Sequence, residues 1–188
     1  MKIYILDNDY LKTRHAELRF ADEPFVECVF DEFDHFLDTH KDVDCIVSPA
    51  NAFGLMDGGY DQAITDYFGD GLQKRVQQYI IDNYYGEQPV GSSFIIDTGM
   101  DSIKMIHTPT MRYPSRIKDP KLIYHCTRST LICAKKNNVK ALLLPHFGGG
   151  CGKITPSVIM KMMWEAYKQF ENVPEKIDWD YALRTKLD

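Results

Sequence analysis

The sequence predicts an α/β fold with a mixed, mostly parallel central sheet, and three observations point to it. Short apolar runs alternate with helical patterns along the chain. One run, Val43, Cys45, Ile46 and Val47, is β-branched and apolar enough to be a strand covered on both faces. Two of the runs end in glycine-bearing loops that lead into helices, the strand–loop–helix order from which parallel sheets are built.

Taken in order, 3–6 and 25–30 read as early strands, and 31–39 as a short helix with Phe33, Phe36 and Leu37 on one side. The strand at Val43 follows. After the first glycine loop, 61–68 reads as one helix, while Leu72, Val76, Tyr79 and Ile80 mark another that ends near Gly86, with Gly69 and Gly71 between them. Phe94, Ile95 and Ile96, a turn around Gly99 and a strand over 103–107 predict a hairpin. Leu122, Ile123, Cys126, Thr130, Cys133 and Ala134 form an amphipathic helical face that ends near Asn137. The last strand covers 141–144. Thr155 is placed as an N-cap with Pro156 at the first helical position, and Ile159, Met162, Met163, Ala166 and Phe170 continue at helical spacing. No clear strand follows, and there is no internal repeat.

At 188 residues with 44% hydrophobic content, the chain can bury one substantial core, so one domain is the simplest organisation. Residues 171–188 read as a tail that docks through Trp179 and Tyr181 or stays mobile. No apolar run reaches membrane-spanning length, and the N-terminus meets Asp7 too early for a secretory signal, which predicts a cytoplasmic protein. The five cysteines are scattered without a CxxC pair, which argues against disulfides and structural zinc. A net charge of −5 argues against broad nucleic-acid binding but not against one nucleotide held by oriented amides, with Arg112 or Lys153 nearby.

Two loops carry the candidate chemistry. The first joins Ser48-Pro49-Ala50-Asn51 to Asp57-Gly58-Gly59-Tyr60-Asp61, where the glycines allow positive φ and let backbone N–H groups approach an anion. The second, Pro145-His146-Phe147-Gly148-Gly149-Gly150-Cys151-Gly152-Lys153, repeats the design, with four glycines in five positions. A binding crevice belongs at the carboxyl ends of the strands that feed them. Between them, Pro109-Thr110-Met111-Arg112 ends another strand-like run.

The first loop is similar to the first ligand loop of macro domains, the family that binds ADP-ribose and related nucleotides. Those domains commonly carry Asn-Ala-Ala-Asn before a glycine-rich turn ending in Val-Asp or Ile-Asp. Here Ser48 takes the place of the first Asn, Asn51 keeps the second, and Asp57 to Asp61 occupies the turn. A branch with Ser-Pro-Ala-Asn and Met-Asp-Gly-Gly looks closer still. The second loop resembles the family's second phosphate loop, and the elements fall in family order from about Phe25 to Phe170. The resemblance implies a three-layer α/β/α sandwich, with 1–170 as the macro-like domain.

It also implies a function: binding of ADP-ribose or a related NAD-derived nucleotide, and hydrolysis of an ADP-ribosyl bond to a protein carboxylate, a nucleobase or a small acyl group. Carried over by motif, Asn51 orients the distal ribose and Asp61 orients or activates water. Ala50, Asn51, Gly58 and Gly59 then bind ligand from the first loop. Gly148, Gly149, Gly150, Cys151 and Gly152 cradle the diphosphate, with Phe147 against it or a ribose, and Asp31 contacts the adenine amino group. No metal or cofactor is implied. The alternatives are a non-catalytic ADP-ribose-recognition module and a phosphatase of phosphorylated ADP-ribose.

Each residue has a plainer reading beside this one. Asp61 and Asp31 are also placed to cap the helices that follow them, and Asn51 to satisfy turn backbone. Cys151 fits either an activated thiol or small-residue packing. His107 and His146, both at strand ends, suit structural hydrogen bonding, and Tyr113 suits either base stacking or packing. Serine at position 48 lacks the paired donor and acceptor of an amide, which weakens a catalytic reading more than a binding one.

Overall fold

A computed structural model of the protein describes residues 1–100, 102–185 and 187. Its elements are β1 (Lys2–Asp7), α1 (Tyr10–Arg19), β2 (Val26–Phe30), α2 (Phe33–Thr39), β3 (Cys45–Ser48), α3 (Gly59–Phe68) and α4 (Gly71–Tyr84). These are followed by β4 (Phe94–Asp97), β5 (Lys104–His107), α5 (Lys121–Lys136), β6 (Ala141–Pro145), α6 (Pro156–Glu171) and α7 (Trp179–Arg184). The strands form one sheet in the order β2-β1-β6-β3-β5-β4. All pairings are parallel except that of β4 with β5, the hairpin expected from the turn at Gly99.

Strand alternation sends neighbouring side chains to opposite faces of the sheet, and both faces are covered. Ile3, Ile5, Val47, Leu142 and Leu144 pack beneath α1, α5 and α6. Tyr4, Leu6, Ile46, Met105 and Leu143 pack beneath α2, α3 and α4. The result is three layers, α/β/α, with all five residues of the central strand β6 buried. That double coverage is why the 141–144 run is apolar throughout rather than alternating. Asp44 fixes the entry of β6 beside β3: its carboxylate accepts the Lys140 and Ala141 N–H groups at 2.9 and 3.0 Å.

Two features, helix α1 and the tail, differ from the sequence reading. Helix α1 has no counterpart in it, because only Thr13 and Ala16 are buried and no apolar stripe runs along Tyr10–Arg19. Its start is nonetheless capped, with the Asp9 side chain accepting from the Leu11 and Lys12 N–H groups. The place in the sheet beside β6 is held by β1, from the other end of the chain. In the tail, Tyr181 meets Gln169, whereas Trp179 is 81% exposed; Lys186 and Asp188 lie outside the described residues. Among the described residues no helix is long and apolar enough to cross a membrane.

The two-faced core yields a contrast that urea denaturation can check. Leu143→Ala, at a wholly buried position, should cost about 2–5 kcal/mol of stability. Leu11→Ala, on the exposed side of α1, should change it by less than about 0.5 kcal/mol.

Candidate functional site

The carboxyl ends of β1, β2, β3, β5 and β6 share one edge of the sheet, and the loops leaving them enclose a cleft of about 650 Å³. It lies where the chain, having crossed outward from β1 to β2, returns to place β3 on the far side of β6, the switch point at which open α/β sheets bind ligands. Both glycine loops face it: Ala50, Asn51, Gly58, Gly59 and Asp61 line one side, and Gly148, Gly149, Gly150, Cys151 and Gly152 another. Asp31 also lines it. The volume falls in the range of sites that enclose a small molecule.

Asp61 is the third residue of α3, whose N-cap is Gly58, so it does not cap the helix. Its carboxyl is buried, and the wholly buried Ser48 at the end of β3 donates from Oγ to Oδ1 at 2.6 Å. Thr65 braces the same turn by donating to the Asp61 carbonyl at 2.9 Å. Burial pushes the Asp61 carboxyl up to about 7, with the Ser48 hydrogen bond pulling the other way. Next to it, the buried hydroxyl of Tyr60 has no hydrogen-bond partner among the described residues; burial and the charges of Asp61 and Asp7 raise its pKa.

Asn51 spends most of its amide on its own loop. The oxygen accepts from the Phe53 and Leu55 N–H groups at 3.1 and 3.3 Å, and Nδ2 donates to the Leu55 carbonyl at 2.8 Å. One N–H of the amide is left without a partner among the described residues. A parallel bridge to Met111 ties this loop to the segment after β5, and the Ala52 N–H donates to the Met111 carbonyl at 3.0 Å.

In the second loop, Gly148 has φ +78°, and a Cβ there would lie 2.8 Å from Ile123 Cδ1. A Cβ on Gly152 would lie 2.7 Å from the Gly148 carbonyl oxygen, so both positions require glycine for close packing. Gly58 and Gly150 open onto free space at the cleft. At Gly149 a Cβ would turn back to ordinary contacts of 3.5 Å with His146 and Ile159. The starts of α2 and α3 line the cleft; Thr155 caps α6 by position but with no side-chain bond, and α6 does not line it.

Several expected residues take other places. Phe147 does not touch the cleft: its side chain is wholly buried in the core with Ile123 and Ile159, where an aromatic ring gains most from burial. Asp31 is not an N-cap, a position held by Glu32; its carboxylate accepts the Glu32 N–H at 2.8 Å and meets His35 Nδ1 at 2.7 Å. Cys151 is exposed at the rim rather than packed, its Sγ 3.4 Å from Met111 Sδ. Arg112 is bound by Glu87 at 2.7 and 2.9 Å, outside the cleft, and neither Lys153 nor Tyr113 lines it.

The cation in the wall is instead Lys12 of α1, 3.2 Å from Asp7 Oδ1. His146 Nδ1 lies 3.2 Å from the other oxygen of Asp7, and burial of the imidazole lowers its pKa against the pull of that carboxylate. His107 is wholly buried, its Nδ1 bonded to Gln88 Oε1 at 2.6 Å, and burial drives its pKa down to about 3, so it stays neutral and serves the core. Among the described residues, no group of three His, Cys, Asp or Glu is placed to hold a metal ion.

The architecture and cleft define a three-layer α/β protein with a site at the strand ends. The macro domain profile matches residues 47–163, and the chain belongs to that family. An uncharacterised protein of Aquifex aeolicus is 31% identical over 134 residues, covering 71% of this chain and 78% of the relative. Among solved structures, the Oceanobacillus iheyensis macrodomain with MES bound is 24% identical with a TM-score of 0.60, covering 69% of this chain and 71% of that one. The macrodomain of Mycobacterium tuberculosis DarG is 18% identical with a TM-score of 0.59, covering 68% and 83%. The Oceanobacillus iheyensis macrodomain with ADP is 19% identical with a TM-score of 0.54, covering 77% and 87%.

The buried acid makes stability depend on pH in a definite direction. Folding raises the Asp61 pKa from 3.8 to about 7, so the folded state holds the proton more tightly. The resulting stabilisation is full below about pH 4 and is lost as pH rises to about 7. Asp61→Asn, which cannot ionise, should equal the unmodified protein near pH 4 and exceed it at pH 8 by up to about 4 kcal/mol, measured by urea unfolding at both pH values.

Proposed function

We propose that the cleft binds ADP-ribose or a related NAD-derived nucleotide and hydrolyses an ADP-ribosyl linkage, with Asp61 as general base. The observation that carries the reading is the Asp61 carboxyl: buried, lining the cleft, at the start of α3 and titrating at about 7. A base with that pKa is partly ionised at neutral pH and still basic enough to take a proton from water. In this scheme Asp61 accepts a proton as water attacks the anomeric carbon, the bond from that carbon to the attached group breaks, and the proton passes to the departing oxygen or nitrogen. ADP-ribose and the free acceptor are the products.

The diphosphate is held by amides. The N–H groups of Gly150 and Cys151 have no internal partner among the described residues, and the first turn of α3 directs its own toward the cleft. The remaining N–H of Asn51 donates to a ribose hydroxyl. An Oceanobacillus iheyensis macrodomain solved with ADP shares this fold, which supports the nucleotide assignment. Free thiols at all five cysteines fit a reducing compartment such as the cytoplasm. A second reading, a non-catalytic module that recognises ADP-ribose, is favoured by the engagement of the Asn51 amide with its own turn.

Calorimetric titration with ADP-ribose, paired with turnover assays on ester-, base- and acyl-linked ADP-ribose, separates the two. Hydrolysis should rise with pH through a midpoint near 7. Asp61→Ala should lower turnover by about 10²–10⁴-fold while keeping affinity. Gly150→Val, which places a branched side chain in open space at the cleft, should weaken ADP-ribose binding tenfold or more, about 1.4 kcal/mol. Binding without turnover on any linkage leaves the recognition module.

A further inference from the structure

We infer, on the hydrolase reading above, that Ser48 is the positioning residue of the cleft acid: its hydroxyl holds one oxygen of Asp61 from behind and leaves the other for water. The donor lies 2.6 Å from Oδ1, and Oδ2 has no hydrogen-bond partner among the described residues. Among the described residues no other side chain shares the task. Thr65 bonds the Asp61 carbonyl rather than its carboxylate, and the neighbouring Tyr60 hydroxyl is unpartnered.

The backbone makes the donor rigid. Ser48 is the last residue of β3, paired in register with His107 of β5, and its carbonyl accepts the Thr108 N–H at 3.0 Å. Its side chain is wholly buried and does not line the cleft, so it is unavailable to a ligand. A single rotatable hydroxyl next to a carboxylate in a dry wall has one productive use, donation to that carboxylate, and such charge-assisted bonds are among the stronger ones. The short side chain that replaces the amide expected at this position therefore acts through Asp61 rather than on the nucleotide.

The consequence is readable without any substrate. By carbon-13 NMR of the Asp61 carboxyl, Ser48→Ala should raise its titration midpoint by about one pH unit, and Ser48→Thr, which keeps the hydroxyl, should restore it. In turnover assays, Ser48→Ala should lose about fivefold at pH 7 through the smaller ionised fraction and keep a residual deficit at pH 9, where the carboxylate is ionised but no longer held, with Ser48→Thr restoring both. If the alanine variant fails to fold, Ser48→Cys, a weak donor of similar shape, should shift the midpoint in the same direction. An unmoved midpoint, or full recovery of turnover by pH 9, overturns the role of Ser48. Absence of turnover in the unmodified protein overturns the hydrolase reading instead, and the Asp61 titration then judges the Ser48–Asp61 contact by itself.

Discussion

Coverage of the sheet on both faces is the constraint from which the site follows. Leu142, Leu143 and Leu144 alternate between two apolar cores, where a polar group without a partner is costly. Polar side chains of the central strands are therefore pushed to the strand ends. Ser48, Asp7 and His146 all sit there, at or just beyond the carboxyl ends of β3, β1 and β6. The same burial sets the environment of Asp61. A carboxyl tucked under the β3–α3 turn loses its hydration, and a single hydroxyl is too little to recover it.

The walls carry more acid than base, yet three of the acids are individually offset. Asp7 is paired with Lys12, and Asp31 faces His35, whose pKa it raises. Asp61 holds its proton up to about pH 7. With the charge of those three reduced, a diphosphate in the cleft can be met by amides rather than by a lysine or arginine cluster. Backbone N–H groups at the second loop and at the start of α3 supply a positive field that the chain's net charge of −5 does not reveal. Composition reports the mobile charges and is blind to the fixed dipoles.

How much could be read in advance follows the same division. Strands with continuous apolar runs and helices with a clear stripe, such as β3, β6, α5 and α6, were legible because burial writes directly into residue type. Both glycine loops were legible because particular positions in them demand glycine, Gly59 and Gly148 by a positive φ and Gly152 by close packing. Helix α1 was not: it rests on the core through Ala16 and Thr13 alone, so its periodicity is silent, and with it went Lys12. Phe147 was misplaced for a related reason. A residue beside a glycine loop reads as a ligand contact, whereas its ring turns into the core. The capping aspartate, Asp9, was the one local signal for α1.

Asn51 shows why the first loop can serve a ligand at all. A loop that must present free N–H groups to an anion cannot also use them to hold its own shape, so something else must fix it. Three hydrogen bonds involving one buried amide do this, spanning Phe53 and Leu55, while the bridge to Met111 anchors the loop to the neighbouring segment after β5. The loop is thereby ordered before any ligand arrives, and the entropy of ordering is not charged against binding. The carboxyl of Asp61 is preorganised in the same way, by Ser48 from within the sheet, while Thr65 braces the backbone carbonyl of the same residue along the helix. Two residues that read as ligand contacts in the sequence thus owe that capacity to bonds made inside the protein, and the rigidity of those bonds is what a second amide at position 48 would have had to replace.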